Sequence, residues 1–149
     1  MFTPSFEGFA ERIRESFARQ GLMSLFGAQL SRIEPGYCEI RLTTKAELTQ
    51  QHGYIHAGVT AAIADSACGY AAFSLMPVDA SVLTVEYKIN LLAPASGRIL
   101  VARGTVIRNG KTIKVARGEV FCGENGNETL CADMLNTVMT LHGRADMDR

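Results

Sequence analysis

Asp65 is the residue of this chain that is hardest to place without a function. It falls midway along the run from His56 to Met76, where its helical neighbours would be Ala61, Ala62, Cys68 and Gly69. None of these can pair a carboxylate, and an unpaired charge in apolar surroundings costs several kcal/mol or loses its proton-free form. Three readings follow: the helix face is exposed, a strand hydroxyl such as that of Thr84 satisfies the acid, or the carboxylate is there for chemistry. A desolvated carboxylate is suited to act as a general base toward water or as a nucleophile. The start of the same run adds a complementary group. At His56-Ala57-Gly58 a helix N-terminus would present unpaired N–H groups and a partial positive charge, which is what a developing oxyanion requires. Gln50 supplies a second, neutral donor upstream. His52 and His56, taken singly, are more often packing or turn residues than catalysts.

Spacing constrains how these groups could cooperate. Ala57 and Asp65 are eight residues apart, roughly 12 Å along a helix axis. One helix cannot present both to the same reacting carbon. If they act together, the carboxylate of one subunit must meet the helix N-terminus of another, which the symmetric two-fold dimer with antiparallel helices achieves twice over.

The elements around these residues follow from pattern. The run from about 57 to 76 is alanine-rich, apolar nearly all round and stopped by Pro77, which reads as a buried helix. An amphipathic helix is expected at about 4–20, with Thr3 as cap, Pro4 at its first position and Phe6, Phe9, Ile13 and Phe17 on one side. Two short strands between Leu25 and Thr44 turn at Glu34-Pro35-Gly36. Four more strands follow the long helix. In the first, Val82 to Leu92, strict alternation sets Leu83, Val85, Tyr87, Ile89 and Leu91 against Thr84, Glu86, Lys88 and Asn90. Next come Ile99 to Ile107 and Thr112 to Phe121, joined through Asn109-Gly110 by an expected type I′ turn. A turn at Gly123 to Asn127 leads to Leu130–Leu141, and residues 143–149 read as a polar tail. This is an α+β chain with an antiparallel sheet covering one buried helix, read as one domain over residues 1–149.

The order Gln50, His56-Ala57-Gly58, Asp65, the small-residue helix and the later Asn109-Gly110 hairpin resembles hotdog-fold acyl-CoA thioesterases of the phenylacetate-degradation branch, over about residues 20–141. The resemblance implies a dimeric hotdog fold, with a sheet wrapped around one long central helix. It implies that Asp65 activates water or attacks the thioester, that the Ala57 N–H polarises the carbonyl, and that Gln50 supports it. His56 would hold the turn or touch the carbonyl, and Thr84 would orient water or Asp65. Substrate contacts would come from Gly58, Val59 and Asn90, with the acyl group also near Ile55 and Tyr70. The coenzyme A nucleotide would lie against Arg108, Asn109, Gly110, Lys111 and Thr112. No metal is implied, and no cofactor beyond the coenzyme A carried by the substrate. The chain departs from the family pattern in having Ala57 for the first glycine of a pair, Asp where a sister branch has Glu, and Gln where close relatives can carry Asn. Two other readings share the fold: an acyl-thioester hydratase or dehydratase pairing His56 with Asp65, and a non-catalytic acyl-CoA-binding domain. A dimer of dimers is a further arrangement that alternation leaves open.

Composition bounds the partners. The 149 residues carry 15 Lys+Arg and 15 Asp+Glu, a formal net charge of zero, which lacks the basic footprint of a nucleic-acid binder. No uninterrupted apolar stretch is long enough for a membrane span. The N-terminal residues have neither the basic nor the apolar region of a signal peptide. Cys38, Cys68, Cys122 and Cys131 have no C-x-x-C spacing and read as free buried thiols, which fits a cytoplasmic protein. The neutrality is uneven: Arg98, Arg103, Arg108, Lys111, Lys114 and Arg117 are six basic residues in a stretch without an acid, leaving nine basic against fifteen acidic elsewhere. A positively biased edge would suit the phosphates of a nucleotide.

Overall fold

The structure, a computed structural model, describes residues 2–124 and 127–145. Helix α1 (Phe9–Ala18) and the short α2 (Gly21–Phe26) precede strands β1 (Gln29–Glu34) and β2 (Tyr37–Thr43). After a 3-10 turn (Ala46–Leu48) comes the long helix α3 (Ala57–Phe73), then β3 (Ser81–Leu91), β4 (Ile99–Asn109), β5 (Ile113–Glu124) and β6 (Asn127–Leu141). All strand pairs are antiparallel, in the order β1-β2-β4-β5-β6-β3. The sheet wraps α3, the architecture that the resemblance implies. From Ile63 onward α3 is buried apart from Asp65 and Ser66, which are half-buried.

What lets a helix lie so deep against a sheet is the absence of side chains beneath it. Gly104 of β4 and Gly118 of β5 are directly paired, and α3 rests on them. A Cβ on Gly104 would come within 2.3 Å of the Ala67 carbonyl oxygen and 2.6 Å of the Cys68 nitrogen, and one on Gly118 within 2.8 Å of Cys68 Sγ. The small residues of α3 and this glycine saddle are two halves of one close contact, which fixes the height of Asp65 over the sheet.

The N-terminal helix begins at Phe9, not near Pro4. Its N-cap is Gly8, without a side-chain cap bond, and Thr3 is exposed. Tertiary contacts override the local signal: the Ser5 hydroxyl donates to the Leu75 carbonyl at 2.8 Å. Arg12 then clasps the end of α3. Its guanidinium donates to the carbonyls of Phe73, Met76 and Pro77 at 2.6–3.0 Å and stacks 3.9 Å over the Phe73 ring. A cation at the carbonyls that follow the end of a helix adds to the hydrogen bonds they have and answers the helix dipole.

One turn and one strand differ from simple pattern. Asn109 and Lys114 are the last paired residues of the β4–β5 hairpin, so the loop holds four residues, and Gly110 does not take the positive φ of a type I′ turn. Glycine is needed there for closeness instead, because a Cβ would meet the Ile113 carbonyl oxygen at 2.3 Å. The turn expected at 123–127 and the tail at 143–149 lie partly outside the described residues. In β3, the register shifts between Thr84 and Glu86. This bulge at Val85 breaks the alternation: Val82 and Thr84 face inward before it, and Tyr87, Ile89 and Leu91 after it, opposite Asn136, Met134 and Ala132. Leu83 therefore points outward and Thr84 inward, the reverse of the expected faces.

Candidate active site

Asp65 has the partners that its helix could not give it. The Thr84 hydroxyl donates to Asp65 Oδ1 at 2.8 Å, which the Val85 bulge makes possible by turning Thr84 inward. The Asn136 amide donates to the same oxygen at 2.7 Å. Oδ2 accepts no hydrogen bond from the described residues. Asp65 borders a pocket of about 330 Å³ that Gln20, Ser66, Tyr70, Val82 and Thr84 also line. The N-terminal helices close it with polar groups: Gln20 Nε2 donates to the Tyr70 hydroxyl at 3.0 Å and Ser66 Oγ to Gln20 Oε1 at 3.3 Å.

The start of α3 is a different place in the chain. The His56 N–H donates to the Leu48 carbonyl at 2.9 Å. Its Nδ1 accepts from the Gly58 N–H at 2.9 Å, and its carbonyl accepts from Val59 at 2.9 Å and Thr60 at 3.3 Å. Among the described residues, the Ala57 N–H is thus the amide of this first turn without a partner. His56 is an N-cap, and Gly58 accommodates it, since a Cβ there would stand 3.0 Å from Nδ1. The cap engages Nδ1 of the ring.

Gln50 is pinned nearby. The His52 N–H donates to its Oε1, and the turn is closed by Gln50 N–H to the Tyr54 carbonyl at 2.8 Å. With its oxygen engaged, the side chain has its Nε2 left to donate. Gln50 and Ala57 line a second pocket of about 400 Å³ with Tyr54, Thr60, Leu91 and Cys131. Cys131 is not a nucleophile here: burial pushes its thiol well above the ordinary range, and Sγ donates to the Val120 carbonyl at 3.3 Å. Burial acts in the same direction on Cys38 and Cys68.

The expected site residues therefore fall into separate groups. Asp65 and Thr84 meet; Gln50, His56, Ala57 and Gly58 meet at the far end of α3. Val59 is buried beside the second group, and Asn90 is exposed on β3, accepting from Lys88 Nζ. The hairpin bearing Arg108, Asn109, Gly110, Lys111 and Thr112 lies at the opposite end of the sheet from Ala57, level with the start of β3 through β6.

Half of the basic stretch is ion-paired in the fold. Arg103 pairs with Glu39 and Glu128 at 3.1 and 2.8 Å, Arg117 with Asp133 at 2.8 Å, and Arg98 with Glu124 at 3.9 Å. Lys114, 3% exposed, donates to the Gly110 carbonyl at 3.0 Å and to the Thr140 hydroxyl at 3.1 Å, and burial lowers its pKa. Arg108, Lys111 and the buried Lys114 have no ion pair among the described residues, and of these Arg108 and Lys111 are exposed. Neither is a metal site formed there: no cluster of three or more His, Cys, Asp or Glu side chains that could hold a metal occurs among the described residues.

Residues 52–129 match the thioesterase superfamily, a span that holds the capped helix, Asp65, Thr84 and the glycine saddle. The chain belongs to the thioesterase superfamily. This thioesterase is similar to a thioesterase family protein of Silicibacter pomeroyi of known structure, at 45% identity and a TM-score of 0.89, covering 91% of this chain and all of the other. It is 27% identical to the 1,4-dihydroxy-2-naphthoyl-CoA hydrolase of Listeria monocytogenes over 74% of this chain and 89% of that one. A Halobacterium salinarum protein provisionally named an esterase is 34% identical over 64% of this chain, which spans 66% of that protein's length. The fold is shared with the Escherichia coli PaaI protein, at a TM-score of 0.82 and 19% identity. The thioesterase is a hydrolase by this membership.

Asn136 is the residue that sequence reasoning missed. It is 71 positions from Asp65, and a lone asparagine in a strand carries no local sign of what it faces. The parity of β6 was the available signal: Met134, Asn136 and Val138 alternate in step, which puts a polar side chain on the apolar face.

Proposed function

We propose that this thioesterase hydrolyses acyl-CoA thioesters to a free acid and coenzyme A at sites shared by two protomers. The observation that carries this reading is the open Ala57 N–H, left over after every other amide of the first turn is satisfied, at the far end of a helix from a carboxylate with one free oxygen. The thioester carbonyl accepts from Ala57 N–H, with Gln50 Nε2 as the supporting donor, so negative charge developing on oxygen meets fixed dipoles. Asp65 of the other protomer takes a proton from the attacking water, or attacks the carbonyl carbon itself with water resolving the anhydride; the thiolate of coenzyme A leaves. Thr84 holds Asp65, and His56 acts through the cap that sets the Ala57 amide. The nucleotide lies near the 108–112 hairpin, where Arg108 and Lys111 have charge to spare.

Support for a dimer comes from β3, the last strand of the sheet. Its outer edge is unpaired in the chain and bears exposed Leu83, Val85, Tyr87 and Leu91, all 46–56% accessible. Long apolar edges of this kind are otherwise aggregation sites, and a second copy added edge to edge would both cover it and set two α3 helices antiparallel. The four cysteines are unbridged and buried, in keeping with a cytoplasmic protein; no described helix is long and apolar enough to cross a membrane.

Free-thiol release from a panel of short, medium and aromatic acyl-CoAs tests the chemistry, and enoyl-CoA hydration without thiol release would overturn it. The dimer has its own test in Val85→Glu. We expect light scattering to show a folded monomer with at least about tenfold less activity, because a like-charged pair would face itself across the two-fold axis. A dimeric, fully active variant would exclude this edge.

A further inference from the structure

We propose that Asn136 is a positioning residue that fixes which oxygen of Asp65 reacts; this rests on the role given to Asp65 above. Asn136 is fully buried on the inner face of β6, between Met134 and Val138, where an aliphatic side chain would pack well. Its amide nitrogen lies 2.7 Å from Asp65 Oδ1. Its own Oδ1 is buried with no hydrogen-bond partner. A buried carbonyl oxygen without a donor is destabilising, and asparagine is among the residues least suited to a strand interior. The fold gains nothing from it that leucine would not supply.

The orphaned oxygen follows from the carboxylate. Turning the amide over would press Asn136 Oδ1 against Asp65 Oδ1, two acceptors with no proton between them. Asp65 therefore dictates which way the amide points, and the amide in return dictates the carboxylate. Thr84 and Asn136 approach from two different strands, β3 and β6, and both donate to Oδ1. A single donor would leave the carboxylate free to swing about its χ2 axis. Two donors on one oxygen hold its plane, so that Oδ2 is the oxygen presented to the pocket in every molecule. Such alignment raises the fraction of encounters in a reactive geometry without contributing to substrate binding.

Asn136→Leu and the smaller, β-branched Asn136→Val, neither of which can donate, test this. For both we expect kcat on the best acyl-CoA to fall at least about tenfold with KM within about twofold, a split that marks an effect on the reacting geometry alone. The melting temperature of Asn136→Leu should equal or exceed that of the parent. Should the leucine variant not fold, the valine variant decides. A kcat within twofold of the parent would overturn the proposal. Asp65→Asn run alongside separates the two claims: if it is as active as the parent, the role of Asp65 fails, whereas an inactive Asp65→Asn beside a fully active Asn136→Leu sinks the positioning role alone. A crystal structure of Asn136→Leu gives a readout independent of turnover. Rotation of Asp65 away from Thr84, or two conformers of its side chain, is expected; one unchanged conformer would count against it.

Discussion

Asp65→Asn should cut thiol release by about two orders of magnitude or more and leave the protein folded. The two halves of this expectation come from the two oxygens of one side chain. Oδ1 accepts from Thr84 and Asn136; in the variant an amide oxygen takes its place and still accepts from both. The amide nitrogen then occupies the Oδ2 position, which has no protein donor to clash with and opens on the pocket. Packing is unchanged because the side chains are isosteric. What is lost is the lone pair that either abstracts a proton or attacks carbon, and the charge that makes it basic. Continuous thiol assays with matched circular dichroism spectra check both halves. Equal rates for parent and variant would remove Asp65 from the mechanism.

The second large effect concerns stability. Gly104→Ala would place a methyl group within 2.3–2.6 Å of the backbone of Ala67 and Cys68, and backbone in mid-helix cannot rotate aside as a side-chain tip can. Overpacking of a core costs about 1–3 kcal/mol when side chains can adjust; here the whole of α3 must lift, so we expect about 3 kcal/mol or more. At roughly 2–4 °C per kcal/mol for a chain of this size, the midpoint of thermal unfolding should fall by about 10 °C. Activity at permissive temperature should fall as well, since Asp65 lies within one helical turn of the point of contact and would move away from Thr84 and Asn136. An unchanged midpoint would mean that α3 does not rest on the Gly104–Gly118 pair.

How much of this was legible in the sequence depends on the distance over which each feature is decided. The central helix is written locally, in alanine content and in Pro77, and its start is marked by His56-Ala57-Gly58. The need of Asp65 for a partner was equally plain, because its own helix offers none, and Thr84 stood among the candidates. Asn136 was not, because no local pattern links positions on a helix and on the last strand. The start of α1 was misplaced for the opposite reason: Thr3-Pro4 is a good local signal, but Ser5 is drawn to the carbonyl of Leu75. The basic stretch reads as a positively biased edge because its acidic partners, Glu39, Glu128 and Asp133, belong to other strands. Charge that is paired across a sheet is invisible along one strand.

The bulge at Val85 carries a constraint on chain length rather than on residue type. Two demands of opposite parity meet on β3: Thr84 must face Asp65, and Tyr87, three positions later, must face the same way. Straight alternation meets one of them only. Val85 is the extra residue that absorbs the mismatch: were it deleted, Thr84, Tyr87, Ile89 and Leu91 would still share the inner face by plain alternation, with Glu86, Lys88 and Asn90 outside. A related chain can therefore meet both demands with a bulged residue after position 84 or with none, but not with an extra residue paired in register. A gap of one residue at this point of an alignment is thus compatible with an oriented carboxylate, whereas straightening the strand with Val85 kept in the ladder is not.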